Sequence, residues 1–425
     1  MYSGHSTIKL KSLGWTILLL VLLFQDAISK HFEAIKYYDE IIAIVCFLYF
    51  LFEVFRKKIS KIDISIAMVM VLMCVVGFWG NARSNVQNEL KQQLFDAFNV
   101  FKYILTIWGA MRYFEKYQTK KYLIHYLAIA VKLTVIISTV FMILNWCADI
   151  GMHTDYRSGI RTYQFIFTRV GGLYSACILW LVILTAERFC NRPKCNGFFI
   201  VLILINMCST MRSRAFAFAV LFVAVYFLHT VKIDKRQRIL YFALIAVALL
   251  LVGMEQFEYY FNAGSDTARN ILLKYGLVTA LTYFPVGAGF GTYGTAVARD
   301  TYSALYTRYE FYRYWGLAEE GGFMTDNYWP AIMGEFGFLG LLLNVVLIAL
   351  VCRKMLRGTD NRYSKICVVF VLGTLLISSV ASSAFFACSQ LMLVTCLVCK
   401  LDYSKEETIV RKSEDEKVNS FYSDL

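Results

Sequence analysis

LIHYLAIAVKLTVIISTVFMILNW, residues 123–146, decides the class of this chain. A bilayer core needs about 20 apolar residues per helical crossing, and this stretch supplies that length. Working outward, comparable apolar runs lie at 13–29, 39–55, 64–80, 95–111, 170–186, 197–210, 214–231, 239–254, 329–351, 366–383 and 385–399, which makes twelve spans with 123–146. Hydrophobic residues form 58% of the 425 and charged residues only 17%, far from a soluble chain of this length. The fold class expected is all-α: a polytopic membrane protein with about twelve transmembrane helices and a large external loop carrying short helices. One integral domain is expected over 1–401, with the loop near 255–328. Residues 402–425, polar and rich in Lys, Glu and Ser, read as a disordered cytoplasmic tail. The first run has a basic start but no small-x-small cleavage site before Lys30 and His31, so it reads as a retained span.

Orientation follows from the loops. Lys9 and Lys11 precede the first span, and Arg56, Lys57, Lys58 and Lys61 follow the second. Arg112, Lys116, Lys120 and Lys121 follow the fourth; Arg188, Arg192 and Lys194 the sixth; Lys232, Lys235, Arg236 and Arg238 the eighth; Arg353, Lys354, Arg357, Arg362 and Lys365 the tenth. With twelve spans all of these fall on one side, which the positive-inside rule makes cytoplasmic, with both termini. The net charge of +13 is thus mainly an orientation signal. It accompanies no recognition motif, and nucleic acid is excluded as a partner. The twelve cysteines sit largely in or near spans and read as small apolar residues. Cys190 and Cys195, without His or further Cys beside them, do not make a zinc site, and no metal is expected.

The opposite face breaks the charge rule. Its loops carry Arg157, Arg161, Arg169, Arg212, Arg214, Arg269, Arg299, Arg308 and Arg313, with Lys274 almost the sole lysine after residue 150. Arginine offers a planar fork that lysine lacks, and a selective cluster points to a phosphate or carboxylate. The competing reading for Arg212 and Arg214 is snorkelling to outer water, and for Arg157, Arg161 and Arg169 ordinary headgroup contact. His153 and Asp155 share a loop and form a weak acid–base pair. PVGAGFGTYG, residues 285–294, lacks the Lys-Ser/Thr of a nucleotide loop; Gly289 and Gly291 serve either a tight turn or a backbone cradle for phosphate. Ser265 and Asp266 read as a helix start, and Tyr302, Tyr306, Tyr309 and Arg313 fall at the spacing of an interfacial amphipathic helix. TDNYWPAIMGEFGFLG, residues 325–340, closes the loop. Asp326 is placed to take a proton from a hydroxyl, or else it or Asn327 caps the next helix. Glu335, inside the next span, is expected to pair with an arginine.

In order, these pieces resemble the O-antigen polymerase/ligase superfamily over roughly residues 150–345. The marks are Arg169–Gly172 as Arg-x-x-Gly at a span start, Ser213–Arg214 before a span, Arg269 early in the loop and the Gly-rich turn at 287–294. Asn327–Tyr328 then leads into Glu335, Gly337 and Gly340 as Glu-x-Gly-x-x-Gly. The resemblance implies polymerisation of undecaprenyl-diphosphate-linked oligosaccharide repeat units into O-antigen, capsule or exopolysaccharide. The place is the outer face of the bacterial cytoplasmic membrane. It implies that Arg169, Arg212, Arg214 and Arg269 hold the diphosphate, and that Asp326 or His153 assists the acceptor hydroxyl. Arg157, Arg161, Asn327, Tyr328, Gly289, Gly291 and Glu335 would contact glycan or shape the loop. No cofactor or metal is implied, and direct displacement inverts the anomeric centre. Membrane lipid, a flippase and a chain-length regulator are the partners. Ligases of the superfamily carry His-Asn where this chain has Asp326–Asn327, which favours the polymerase branch. A ligase-like transferase, a lipid-linked oligosaccharide flippase and a non-catalytic scaffold are the alternatives.

Overall fold

The computed structural model describes residues 3–56, 59–116, 120–157, 159–191, 195–231, 234, 236–237, 267–359 and 361–399. The expected span 239–254, the helix start at Ser265–Asp266 and the tail at 402–425 lie outside them. Eleven of the twelve apolar runs fall on helices: α1 (Ser3–Leu23) with α2 (Gln25–Ser29), α3 (Tyr38–Val54), α4 (Lys61–Ser84), α5 (Leu90–Lys116), α6 (Lys120–Cys147), α7 (Val170–Asn191), α8 (Asn196–Cys208), α9 (Ser213–Thr230), then, past α10 (Ala268–Thr282), α11 (Ala296–Asp300) and α12 (Ala304–Arg308), α13 (Tyr328–Arg357), α14 (Arg362–Ser379) and α15 (Ser389–Val398). Among the described residues the only strand pairing is a hairpin of two residues a side, Tyr156–Arg157 against Ile160–Arg161.

Among the described residues the chain is all-α, and six helices (α4, α6, α7, α9, α13 and α14) are long and apolar enough to cross a membrane. The described helices do not by themselves show twelve complete crossings. At 10 residues α15 rises about 15 Å, half of a hydrocarbon core, and α8 with 13 residues rises about 20 Å. The two kinds of long helix differ in burial. Only 33% of the apolar window of α4 or α6 is buried, against 78% for α7. The first two therefore turn leucine, isoleucine and valine outward, as a lipid-facing helix does, while α7 lies inside the bundle.

Helix α5 is also interior, buried without a break from Val100 to Ala110. It runs parallel to α3 at a constant offset of 63 residues: Asp39 meets Lys102, Gly109 lies against the Cys46 carbonyl, and Glu53 meets Lys116. Gly109 is what lets the two backbones approach so closely. Lys102 ion-pairs with Asp39 at 2.9 Å and Glu40 at 2.8 Å. It lies 12 residues, about 18 Å, from Leu90 and 14 residues, about 21 Å, from Lys116. Gln25 donates to Asp39 at 3.0 Å, so the turn between α1 and α3 meets the middle of α5.

The run 329–351 is not one straight span. Gly337 has φ 62° and ψ −162°, a conformation essentially confined to glycine, and it breaks α13 into 328–336 and 338–357. Residues 16 apart on a straight helix are about 24 Å apart. Here Tyr328 donates to Asn344 at 2.8 Å, so the short segment folds back along the long one. The backbone groups that the break frees are met by the Gly-rich turn. Ala288 N–H donates to Gly334 O at 2.9 Å, Gly289 N–H to Glu335 O at 2.8 Å, and Leu339 N–H to Pro285 O at 3.2 Å. Non-helical backbone at membrane depth is tolerated where protein satisfies it in this way.

The expected interfacial helix over 302–313 does not form as one element. Tyr302 (φ 41°) and Glu310 (φ 55°) are left-handed and leave only α12 and a 3-10 turn at Phe311–Arg313. Packing overrides the periodicity. Tyr306 and Phe311 are buried with Ile271, Leu272, Tyr293, Leu305, Leu317 and Met324 in a small core separate from that of the bundle.

Candidate functional site

Three helix starts converge. Arg169 immediately precedes α7, Arg214 is the second residue of α9, and Arg269 the second of α10. All three guanidinium charges act on the carboxyl of Asp326, just before α13. Arg269 Nη2 lies 3.3 Å from Asp326 Oδ2, and Asn327 Nδ2 donates to the Arg269 carbonyl at 2.9 Å. Asn327 stands at the N-cap position of α13 but makes no side-chain capping hydrogen bond there. The side chains of Asp326 and Asn327 turn to Arg269 instead. Asn327 Oδ1 is buried with no hydrogen-bond partner, an acceptor aimed at nothing in the protein. Burial pushes the Asp326 carboxyl up from its usual range, and the Arg269 and Arg214 charges offset this only partly. Three guanidiniums and one carboxylate leave an excess of two positive charges at the site.

Arg212 goes elsewhere. Its Nη2 lies 3.3 Å from Asp155 Oδ2, and Arg157 Nε reaches the same oxygen at 3.3 Å. Burial works against the Asp155 carboxylate, but hydrogen bonds from Thr162 and Thr154 and the Arg212 charge outweigh it and hold it below the usual range. Arg161 ties the hairpin to α6, donating to Asn145 O at 3.0 Å and to the Tyr156 hydroxyl at 3.1 Å. His153 lies with its Nδ1 3.3 Å from Asp149 Oδ1, too poorly aimed for a hydrogen bond, and edge-on to Tyr156. Arg169, Arg214 and Arg269 thus gather around Asp326, and Arg157 and Arg212 around Asp155. Arg299, Arg308 and Arg313 pair locally, with Asp300, the Tyr283 hydroxyl and Glu310.

Three expected site features turn inward. Tyr328 is buried against Phe385 and Phe386. Glu335 pairs with no arginine; its Oε1 accepts from Thr292 N–H at 3.2 Å, Tyr293 N–H at 3.4 Å and Thr295 Oγ1 at 3.0 Å. The N–H groups at Gly289 and Gly291 are engaged by Glu335 O and by Asp96 Oδ2, the latter at 2.9 Å. The turn is therefore a cradle for the protein's own groups and presents these N–H groups to no ligand.

Sequence reasoning read the first 150 residues as topology alone and missed what α4 and α5 contribute. Asn81 brackets Phe290, accepting from its N–H at 2.9 Å and donating to its carbonyl at 2.9 Å; Ser84 donates to Ala288 O at 2.6 Å. A lone Asp96 within an apolar run was the available signal, since intramembrane charges are rarely idle. Asn81→Ala orphans a buried N–H and a buried C=O, each worth about 1–3 kcal/mol. The expected result is a lower unfolding midpoint in detergent and faster proteolysis between 285 and 295; parent-like behaviour in both would remove Asn81 as the clamp.

Compared with known proteins, the chain matches no family model and no curated protein.

Proposed function

We propose that the chain is a membrane glycosyltransferase of the polymerase type, extending a glycan carried on a lipid-linked diphosphate. The observation that carries this reading is the convergence of Arg169, Arg214 and Arg269 on Asp326 from three separate helix starts. Two excess positive charges in a fixed, half-buried setting suit a diphosphate. Guanidinium forks there stabilise charge as it develops on the leaving group. In the reaction proposed, an acceptor hydroxyl oxygen bonds to the anomeric carbon of the donor. The anomeric carbon–phosphate oxygen bond breaks with its electron pair leaving on the diphosphate, and the hydroxyl proton passes to Asp326. An incoming dianion would weaken the hold of Arg269 on Asp326 and strengthen Asp326 as a base. Backside attack inverts the centre. Asn327 Oδ1 would accept from a sugar hydroxyl. The orientation expected from the basic loops suits a site on the outer face, and the resemblance of the sequence implies that the membrane is the bacterial cytoplasmic one.

The test is incubation of the purified protein with lipid-linked repeat units. Longer glycan on the diphosphate carrier is the expected product. Transfer to a different carrier would mean a ligase, and translocation without lengthening a flippase. Arg214→Ala and Arg269→Ala should each lose about 10²–10³-fold in rate, as removal of one preorganised donor does. Lysine at either position should restore only part of it. Arg308→Ala, which loses only a hydrogen bond to Tyr283, should behave as the parent.

A further inference from the structure

Beneath the Gly-rich turn, Asp96 of α5 and Glu335 of α13 meet with both side chains fully buried. Their donors can be counted. Glu335 Oε1 takes Thr292 N–H, Tyr293 N–H and the Thr295 hydroxyl; Asp96 Oδ2 takes Gly291 N–H, and the Thr295 hydroxyl also lies within reach of the Asp96 carboxyl. The other two oxygens, Asp96 Oδ1 and Glu335 Oε2, are buried and receive no hydrogen from any N–H or hydroxyl group. The two carboxyl groups are within hydrogen-bond reach of each other, and among the described residues neither forms an ion pair with a lysine, arginine or histidine. A bond between two carboxyl groups exists only if one of them carries a proton. Two adjacent buried carboxylates with no cation repel in a setting that screens poorly, and one proton converts that repulsion into a hydrogen bond.

We propose that Asp96 and Glu335 share one proton, as an acid–carboxylate pair that fixes the Gly-rich turn to the break in α13. The pair positions the short segment of α13 that follows Asp326 and Asn327. The inference rests on this geometry and not on the reaction proposed above. The groups packed around the pair are accounted for. Tyr306 of α12 is the neighbouring titratable side chain, and its hydroxyl accepts from Gly294 N–H at 2.7 Å. Tyr293 donates its hydroxyl to Leu272 O at 2.6 Å, and α4 presents the neutral Asn81 and Ser84.

The sign of the pH dependence follows. The folded pair holds a proton that the unfolded carboxyls release near about pH 4. Folding therefore takes up a proton, and the stability is fully present below that pH and falls as pH rises. Glu335→Gln removes this linkage, because the amide donates permanently to Asp96 and its oxygen still accepts from the turn. In full-length protein in detergent, the folding constant of the parent relative to Glu335→Gln should fall about tenfold per pH unit between about pH 5 and pH 7. The infrared carbonyl band of a protonated carboxylic acid should be present in the parent at pH 7 and smaller in both Glu335→Gln and Asp96→Asn. Parallel pH curves with no change in that band would mean that both groups are ionised and would overturn the proposal. So would failure of both amide variants to fold, since either amide can replace the protonated acid.

Discussion

Asp326→Asn is expected to insert and fold as the parent while losing about 10²–10⁴-fold in polymerisation rate, the range for removal of a general base. Asparagine keeps an oxygen for Arg269 and the shape of the side chain, but it takes no proton at neutral pH. The substitution leaves the helix end intact, because Asp326 does not cap α13. The same role predicts a pH profile. Burial raises the Asp326 carboxyl above the ordinary carboxylate range despite Arg269 and Arg214. Below that raised value Asp326 is protonated and cannot act as a base. Activity should therefore fall as pH drops through it, on an acid limb displaced toward neutrality. The residual activity of the Asn variant should lack this limb. Near-normal turnover in Asp326→Asn would leave arginine positioning as sufficient, or pass the role to His153.

Lys102→Met should be the most damaging single change to stability, by about 3–5 kcal/mol, the cost of leaving a buried ion pair without its partner. Lys102, whose side chain is only 9% exposed and sits midway along α5, is the ion-pair partner of both Asp39 and Glu40. Methionine fills similar space and offers nothing to either carboxyl. The measurement is the unfolding midpoint in detergent, with the double variant Lys102→Met/Glu40→Gln as the control for coupling. Removing one of the two stranded carboxyls should recover part of the loss, and the two changes should be non-additive. A loss below about 1 kcal/mol, or strict additivity, would mean that the three groups do not act together.

What the sequence made legible was local. Apolar runs of span length became helices; Arg269, picked out by residue type and order, pairs with Asp326, and Arg169 and Arg214 lie near enough for their charge to act on the same carboxyl. Position in the chain did not say which arginines would meet. Arg212 stands two residues from Arg214, yet Asp155 draws it away, because successive residues at the start of a helix point in different directions. The floor of the site was illegible for another reason. Phe290 and Asn81 are 209 residues apart, and Gly291 and Asp96 are 195 apart. Periodicity reports which face of one helix is apolar and is silent on which distant turn that face receives. The stretch 302–313 misled by the same mechanism: its tyrosines repeat as on a helix, but the pocket formed by Tyr293, Tyr275 and Leu272 takes them one by one.

The fold-back at Gly337 makes the site mechanically lopsided. The short segment following Asp326 is held by the Pro285–Gly289 backbone, and the Gly-rich turn is itself held by Asn81 of α4 and Asp96 of α5, so the segment can shift only if three parts of the chain shift with it. It is the anvil. Arg169 stands just ahead of α7 and Arg214 on the first turn of α9; among the described residues neither is bonded to the Gly-rich turn, and the segment before α7 is tied instead to Asp26 of α2 through Thr168. On the proposed reading, a bulky anion is expected to be admitted by movement of those two helix starts, with Asp326 holding still.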